Sequence, residues 1–265
     1  MGSNTPTSTQ KGVTLQIELL PCVNLAMVDN QVLIGNRCAL VNATDNEMEA
    51  ITVVVSGEHV QDNSMTINRL PSNWTVQLGG LKLEFDRQFL AQLDVPVKTR
   101  VSFMAHCNGE LVCERESEVC LLPDNYWAGL DVMPAAVAAH VLPHTLAVKE
   151  LLDKASPILD QITGEAQFDD YQTQDPNRAR AQLAAIYRAI QLNEFTLEPL
   201  KNELNYYRSP VRTPEQIVEA RTANCLELAL MVASCIEACG LNSLLVFLKD
   251  RVMVGMWLVD RNLRL

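Results

Sequence analysis

Histidine is scarce in this sequence, with four in 265 residues: His59, His106, His140 and His144. No histidine and cysteine spacing suggests zinc, and neither a GxGxxG nor a P-loop occurs, so no cofactor is implied. Basic side chains are outnumbered, 21 against 32 acidic, for a net charge of −11. No sequence-wide field therefore draws the chain toward phosphates or anionic lipid, which disfavours direct nucleic-acid binding. An apolar run of about 20 residues, the length a spanning helix needs, is also missing, because His140, Glu227 and Glu237 interrupt the best candidates. Residues 1–12 lack the basic start and apolar run of a secretory signal and read as a disordered arm. Together these absences point to a cytoplasmic protein without membrane contact. The eight cysteines hold no metal-type CxxC pair, so they are expected as reduced thiols, mostly buried, with Cys38 and Cys107 unbridged.

What is present is apolar content of 48%, enough for sizeable cores and two domains. Residues 13–122 carry seven short apolar or alternating runs, at 13–20, 32–41, 50–56, 65–70, 74–85, 97–107 and 111–122. Asp62-Asn63, Gly79-Gly80 and Asn108-Gly109 supply turn chemistry between them. That pattern predicts an all-β immunoglobulin-like sandwich. Residues 123–134 have no period and read as a linker, after which 135–265 turns helical. Helices are predicted at 135–141, 146–159 and 176–192 from apolar spacing of three and four. Thr213-Pro214-Glu215 marks a helix start, and a longer helix is predicted from about Asn224 to Cys239, stopped by Gly240. Two strands follow, at 244–248 and 252–258, making the second domain α+β.

The most informative segment joins that helix to the last strand. Cys225 falls in the first turn, where free amides and the helix dipole suit a nucleophilic thiolate. The plainer reading makes Cys225 the first core residue of an apolar helix, as Cys235 and Cys239 are deeper in it.

Ala223-Asn224-Cys225-Leu226-Glu227-Leu228-Ala229, Ala238-Cys239-Gly240-Leu241-Asn242 and Gly255-Met256-Trp257-Leu258 resemble the transglutaminase-like superfamily of cysteine hydrolases. The match is to a bacterial branch that joins an immunoglobulin-like to a transglutaminase-like domain in helicase-containing phage-defence proteins. Asn125-Tyr126-Trp127-Ala128-Gly129, Asp170-Tyr171-Gln172 and the stretch from Arg208 to Pro214 extend the resemblance over nearly the whole chain after residue 12. It implies an all-β immunoglobulin-like sandwich followed by an α+β transglutaminase-like domain, with Cys225 as a vestigial nucleophile. The family's histidine position falls on Arg251, and Asn224, Gln172 and Trp257 complete the implied binding set. A guanidinium cannot cycle protons near neutrality. Asp250 would face away from Cys225 on an alternating strand, Asp260 is too close to reach back, and the family's third catalytic residue would lie beyond Leu265.

The implied function is a noncatalytic recognition or scaffolding module in anti-phage defence, with a protein or peptide partner such as a helicase or nuclease subunit. The alternative is an active cysteine protease, amidase or acyltransferase whose base comes from His144 or another subunit.

Overall fold

The computed structural model describes residues 7–8, 12–79, 81–200, 204, 209–249 and 251–260. The chain divides into two compact units, Met1–Tyr126 and Trp127–Leu265.

In the first unit the alternating runs become long antiparallel strands. Met48–Gly57, Val60–Leu70, Val97–Cys107 and Glu110–Leu121 lie in one sheet, in the order 60–70, 48–57, 97–107, 110–121. Thr7–Ser8 pairs with Glu114 and Cys113 at its far edge as the fifth strand of that path; the other residues of the expected arm before Gly12, 1–6 and 9–11, lie outside the described residues. Val13–Leu19, Gly35–Asn42 and Trp74–Gln77 form a separate three-stranded sheet. Burial alternates as pleated strands require: Ile51, Val53 and Val55, then Val101, Phe103 and Ala105, all fully buried. Asn108-Gly109 makes the predicted hairpin turn, both residues at positive φ. Of the other two, Gly79-Gly80 reaches beyond the described residues at Gly80, and the remaining turn is displaced. Asp62-Asn63 lies inside the Val60–Leu70 strand, and Glu58-His59 turns the chain instead, with His59 at φ +63°.

The expected fold class needs correction. The chain is mixed α/β, 31% helical and 35% strand, with a curled five-stranded sheet, and not an all-β immunoglobulin-like sandwich followed by an α+β transglutaminase-like domain. Two physical facts lie behind the difference. Alternation reports that a strand is half buried but not which strand it pairs with. Register shifts at Val55/Gly57 and Ala105/His106 then bend the long strands, as bulges do. Two short helices also intervene between strands, α1 (Leu25–Asp29) and α2 (Arg87–Ala91), capped by the side chains of Asn24 and Asp86.

The second unit is built around one buried helix. After a 3₁₀ turn at Pro134–His140 come α3 (Leu146–Thr163), α4 (Pro176–Leu192), α5 (Pro214–Ala220) and α6 (Cys225–Ala238). α5 starts as its sequence predicts, with a reciprocal Thr213 and Gln216 capping box and Pro214 in the first turn. Consecutive residues from Ala229 to Ile236 of α6 are all buried, as expected of a helix apolar all round. Helices α3, α4 and α5 pack against α6, as does a hairpin of two strands, Ser243–Phe247 and Val252–Met256. Gly240 ends α6 at φ +76°, with Leu241 N–H donating to the Ile236 carbonyl at 3.1 Å. A Cβ at this glycine would stand 2.9 Å from Asp170 Cγ, so the helix end and the α3–α4 loop fit only without one.

That loop is held from beneath. Gln182, fully buried, accepts from Asp169 N–H at 3.2 Å and donates to the Asp170 carbonyl at 3.0 Å. Arg178 donates to Asp169 Oδ1 at 3.0 Å. Among the described residues no helix is long and apolar enough to cross a membrane.

Ile236 sits fully buried where α6 meets α3 and α4. Ile236→Ala is expected to destabilise the helical unit by about 2–5 kcal/mol, read from urea unfolding followed at 222 nm.

Candidate functional site

Helix α6 begins with a reciprocal cap. Asn224 Oδ1 accepts from the amides of Leu226 and Glu227, each at 3.0 Å, while Glu227 Oε2 accepts from Asn224 N–H at 2.9 Å. Two of the first-turn amides that would suit an anion, those of Leu226 and Glu227, are thus already used. Glu227 is 2% exposed, and a buried carboxylate needs a partner. Arg212 supplies it at both oxygens of the carboxylate: Nε to Oε1 at 2.9 Å, Nη2 to Oε2 at 2.7 Å, and its own backbone N–H to Oε1 at 3.1 Å. The same guanidinium reaches Glu198 Oε2 at 2.8 Å and Thr222 Oγ1 at 3.1 Å. Hydrogen bonding to Glu227, offset in part by desolvation, raises the Arg212 pKa above its ordinary value. Arg212 and Glu198 were not singled out by the sequence. The signal available was Asn-x-x-Glu, a capping box that also says where a buried carboxylate will stand.

Cys225 opens onto a groove of about 490 Å³. Its floor is the α6 stripe Cys225, Leu228, Ala229 and Val232, spaced at three and four residues. Tyr187 and Ile190 of α4 form one wall, Phe195 and Leu197 continue it, and Val252, Met253 and Val254 of the last strand form the other. None of the described residues lining it is a histidine. Tyr187, Leu197 and Met253 are more than half exposed, so the groove has an apolar rim as well as an apolar floor.

The predicted site residues fall toward two different ends of α6. Asn224 is the helix cap. Arg251 is exposed at the hairpin end nearer Cys225, and its carbonyl accepts from Leu248 N–H at 2.9 Å. Trp257 lies at the opposite end of the strand, where its N–H donates to the Asn242 carbonyl at 3.0 Å and its carbonyl accepts from Tyr171 Oη at 2.7 Å. Gln172 is exposed in the α3–α4 loop, its N–H donating to the Asp169 carbonyl at 3.1 Å. Helix α6 separates these two ends by ~20 Å at ~1.5 Å per residue. Trp257 and Gln172 thus mark the far end of the helix, not the thiol. Asp250 and Arg208 lie outside the described residues.

None of the four histidines is among the described lining of the groove. His59 stacks on Phe89 with ring centroids 3.4 Å apart, and His106 lies in the Val97–Cys107 strand, both in the first unit. His144 is exposed ahead of α3. His140 ends the 3₁₀ turn, where burial pushes its pKa down to about 4. All eight cysteines are free thiols, and burial pushes Cys235 and Cys239 up to about 12, which makes them packing residues. Among the described residues no group of three or more histidine, cysteine, aspartate or glutamate side chains could hold a metal ion. The arrangement is a thiol in an apolar groove, with Tyr187 and Glu194 the other ionisable side chains among its described lining.

Two outcomes follow from these geometries. Removing Arg212 strands a buried carboxylate, so Arg212→Ala is expected to cost about 3–5 kcal/mol. The same change in a Glu227→Gln background is expected to cost less, and a double-mutant cycle by urea unfolding measures the difference. His140 is one pH-sensitive group of the second unit. Between its ordinary 6.5 and about 4 the unfolded chain binds a proton that the folded chain refuses. Its stability contribution is therefore intact above pH 6.5 and lost as pH falls toward 4. His140→Gln is expected to recover on the order of 2 kcal/mol of the stability lost between pH 7 and 4.5, measured by parallel urea titrations.

No protein-family model matches this chain, and neither a curated protein nor a solved structure does.

Proposed function

We propose that this protein is a noncatalytic recognition module whose second unit binds a protein or peptide segment in the groove beside Cys225. One observation carries the reading: the cysteine opens onto an apolar groove of about 490 Å³ with no histidine among its described lining residues. Thiol hydrolysis and acyl transfer need a base within hydrogen-bond reach of the sulfur, and a guanidinium at the implied histidine position cannot serve. A shaped apolar concavity is nonetheless suited to binding. The resemblance of the residues around Cys225 to a cysteine hydrolase supports a vestigial nucleophile rather than a working one. It also supports a cytoplasmic role in bacterial anti-phage defence beside a helicase or nuclease subunit.

Two assays test the reading. A fluorogenic peptide amide and a dansylated primary amine offered with a glutamine-containing protein are expected to show no turnover, with Cys225→Ala indistinguishable from the unaltered protein. Turnover that disappears in Cys225→Ala would overturn the proposal in favour of an active cysteine hydrolase. Selection from a displayed random octapeptide library is expected to enrich binders that a folded Leu228→Arg variant, its groove filled, fails to retain.

A further inference from the structure

The groove lies along the edge of the last strand rather than over its face. Successive side chains of a strand point to opposite sides. Val252 and Val254 pack into the core beneath, while Met253 is 53% exposed. All three line the groove, whereas none of the Ser243–Phe247 strand appears among its described lining. A space touched by both faces of one strand and by neither face of its neighbour runs beside that strand's free edge.

Hydrogen-bond parity says what that edge offers. Leu248 N–H bonds the Arg251 carbonyl at 2.9 Å, and Trp257 N–H bonds the Asn242 carbonyl at 3.0 Å. Between them the register pairs Met253 with Val246 and Gly255 with Leu244. Bonded pairs alternate in an antiparallel ladder, so residues 251, 253, 255 and 257 turn their amide groups toward the partner strand. Val252, Val254 and Met256 therefore turn theirs the other way. Among the described residues the sheet has two strands and no third one takes these groups.

We infer that the groove binds an extended peptide by strand addition, with backbone pairing to Val252 and Val254 and one apolar side chain lowered between Cys225, Leu228 and Val232. This deepens the recognition reading and rests on it. A peptide is the occupant because its backbone repeats N–H and C=O groups every second residue, ~6.6–6.8 Å apart, to match two edge residues at that spacing. Its side chains include a base, since Glu194 is the charged residue of the described lining and no lysine or arginine stands there.

The test uses octapeptides enriched from the displayed library and the intact protein. Val254→Pro removes one outward N–H from an edge position without touching a bond of the hairpin. It is expected to weaken binding at least tenfold with an unchanged circular dichroism spectrum. Single N-methylation along an enriched peptide, tested on unaltered protein, is expected to weaken binding tenfold at alternate positions and less than threefold between them. This arm stands even if Val254→Pro misfolds. Glu194→Lys is expected to lower affinity for lysine-bearing peptides at least fivefold. Binding lost in Leu228→Arg, yet within twofold in Val254→Pro and indifferent to N-methylation, overturns strand addition and leaves groove recognition standing. No enrichment over Leu228→Arg overturns both. A dimer of peptide-free protein in sedimentation that Val254→Pro abolishes makes a second copy the occupant and also overturns the inference.

Discussion

The bidentate pairing of Arg212 with Glu227 is the constraint on which the second unit depends. A carboxylate 2% exposed is tolerable only with its charge matched and its lone pairs occupied. Arg212 does both with side chain and backbone, and Glu227 in turn caps the helix that carries it. One carboxylate thereby fixes the start of α6 in position and direction. Every residue of the groove floor, from Cys225 to Val232, takes its place from that start.

Much of this was legible along the chain wherever the signal was local. Thr213-Pro214-Glu215 announced α5, Gly240 announced the end of α6, and the alternation at residues 97–107 became a strand with those bounds. Each reading depends on bonds between residues a few positions apart. Pairing between distant segments was not legible in that way. The turn moved from Asp62-Asn63 to Glu58-His59, because two strands can be threaded through either and only the whole sheet decides. Trp257 and Gln172 were grouped with Cys225, yet hairpin register carries Trp257 to the other end of α6. Arg212 and Glu227 stand 15 residues apart and meet only once the intervening segment has folded back. The curl of the large sheet escaped for a related reason, since bulges are set by crowding across strands.

The thiol illustrates how chemistry depends on neighbours more than on the residue itself. A cysteine opening a helix can be a nucleophile, but here the amides of Leu226 and Glu227 are committed to Asn224 and the surrounding groove is mostly hydrocarbon, with Tyr187, Gln191 and Glu194 as the polar side chains of its described lining. What the site offers is shape. α4 and the last strand are each packed against α6, on either side of the groove.

The hairpin itself is fastened at both ends. Phe247 stacks on Trp127 with centroids 5.4 Å apart, and the Tyr171 hydroxyl bridges Asn242 N–H and the Trp257 carbonyl at 3.1 and 2.7 Å. A two-stranded ribbon alone would slide, fray and twist in solution. Clamped at each terminus, this one cannot shift its ladder by a residue without breaking an aromatic stack and two hydroxyl bonds at once. Its free margin is consequently a fixed ruler, with polar marks at constant intervals. The entropy lost on docking, about 1–2 kcal/mol per residue ordered, falls on whatever aligns with it and not on the ruler.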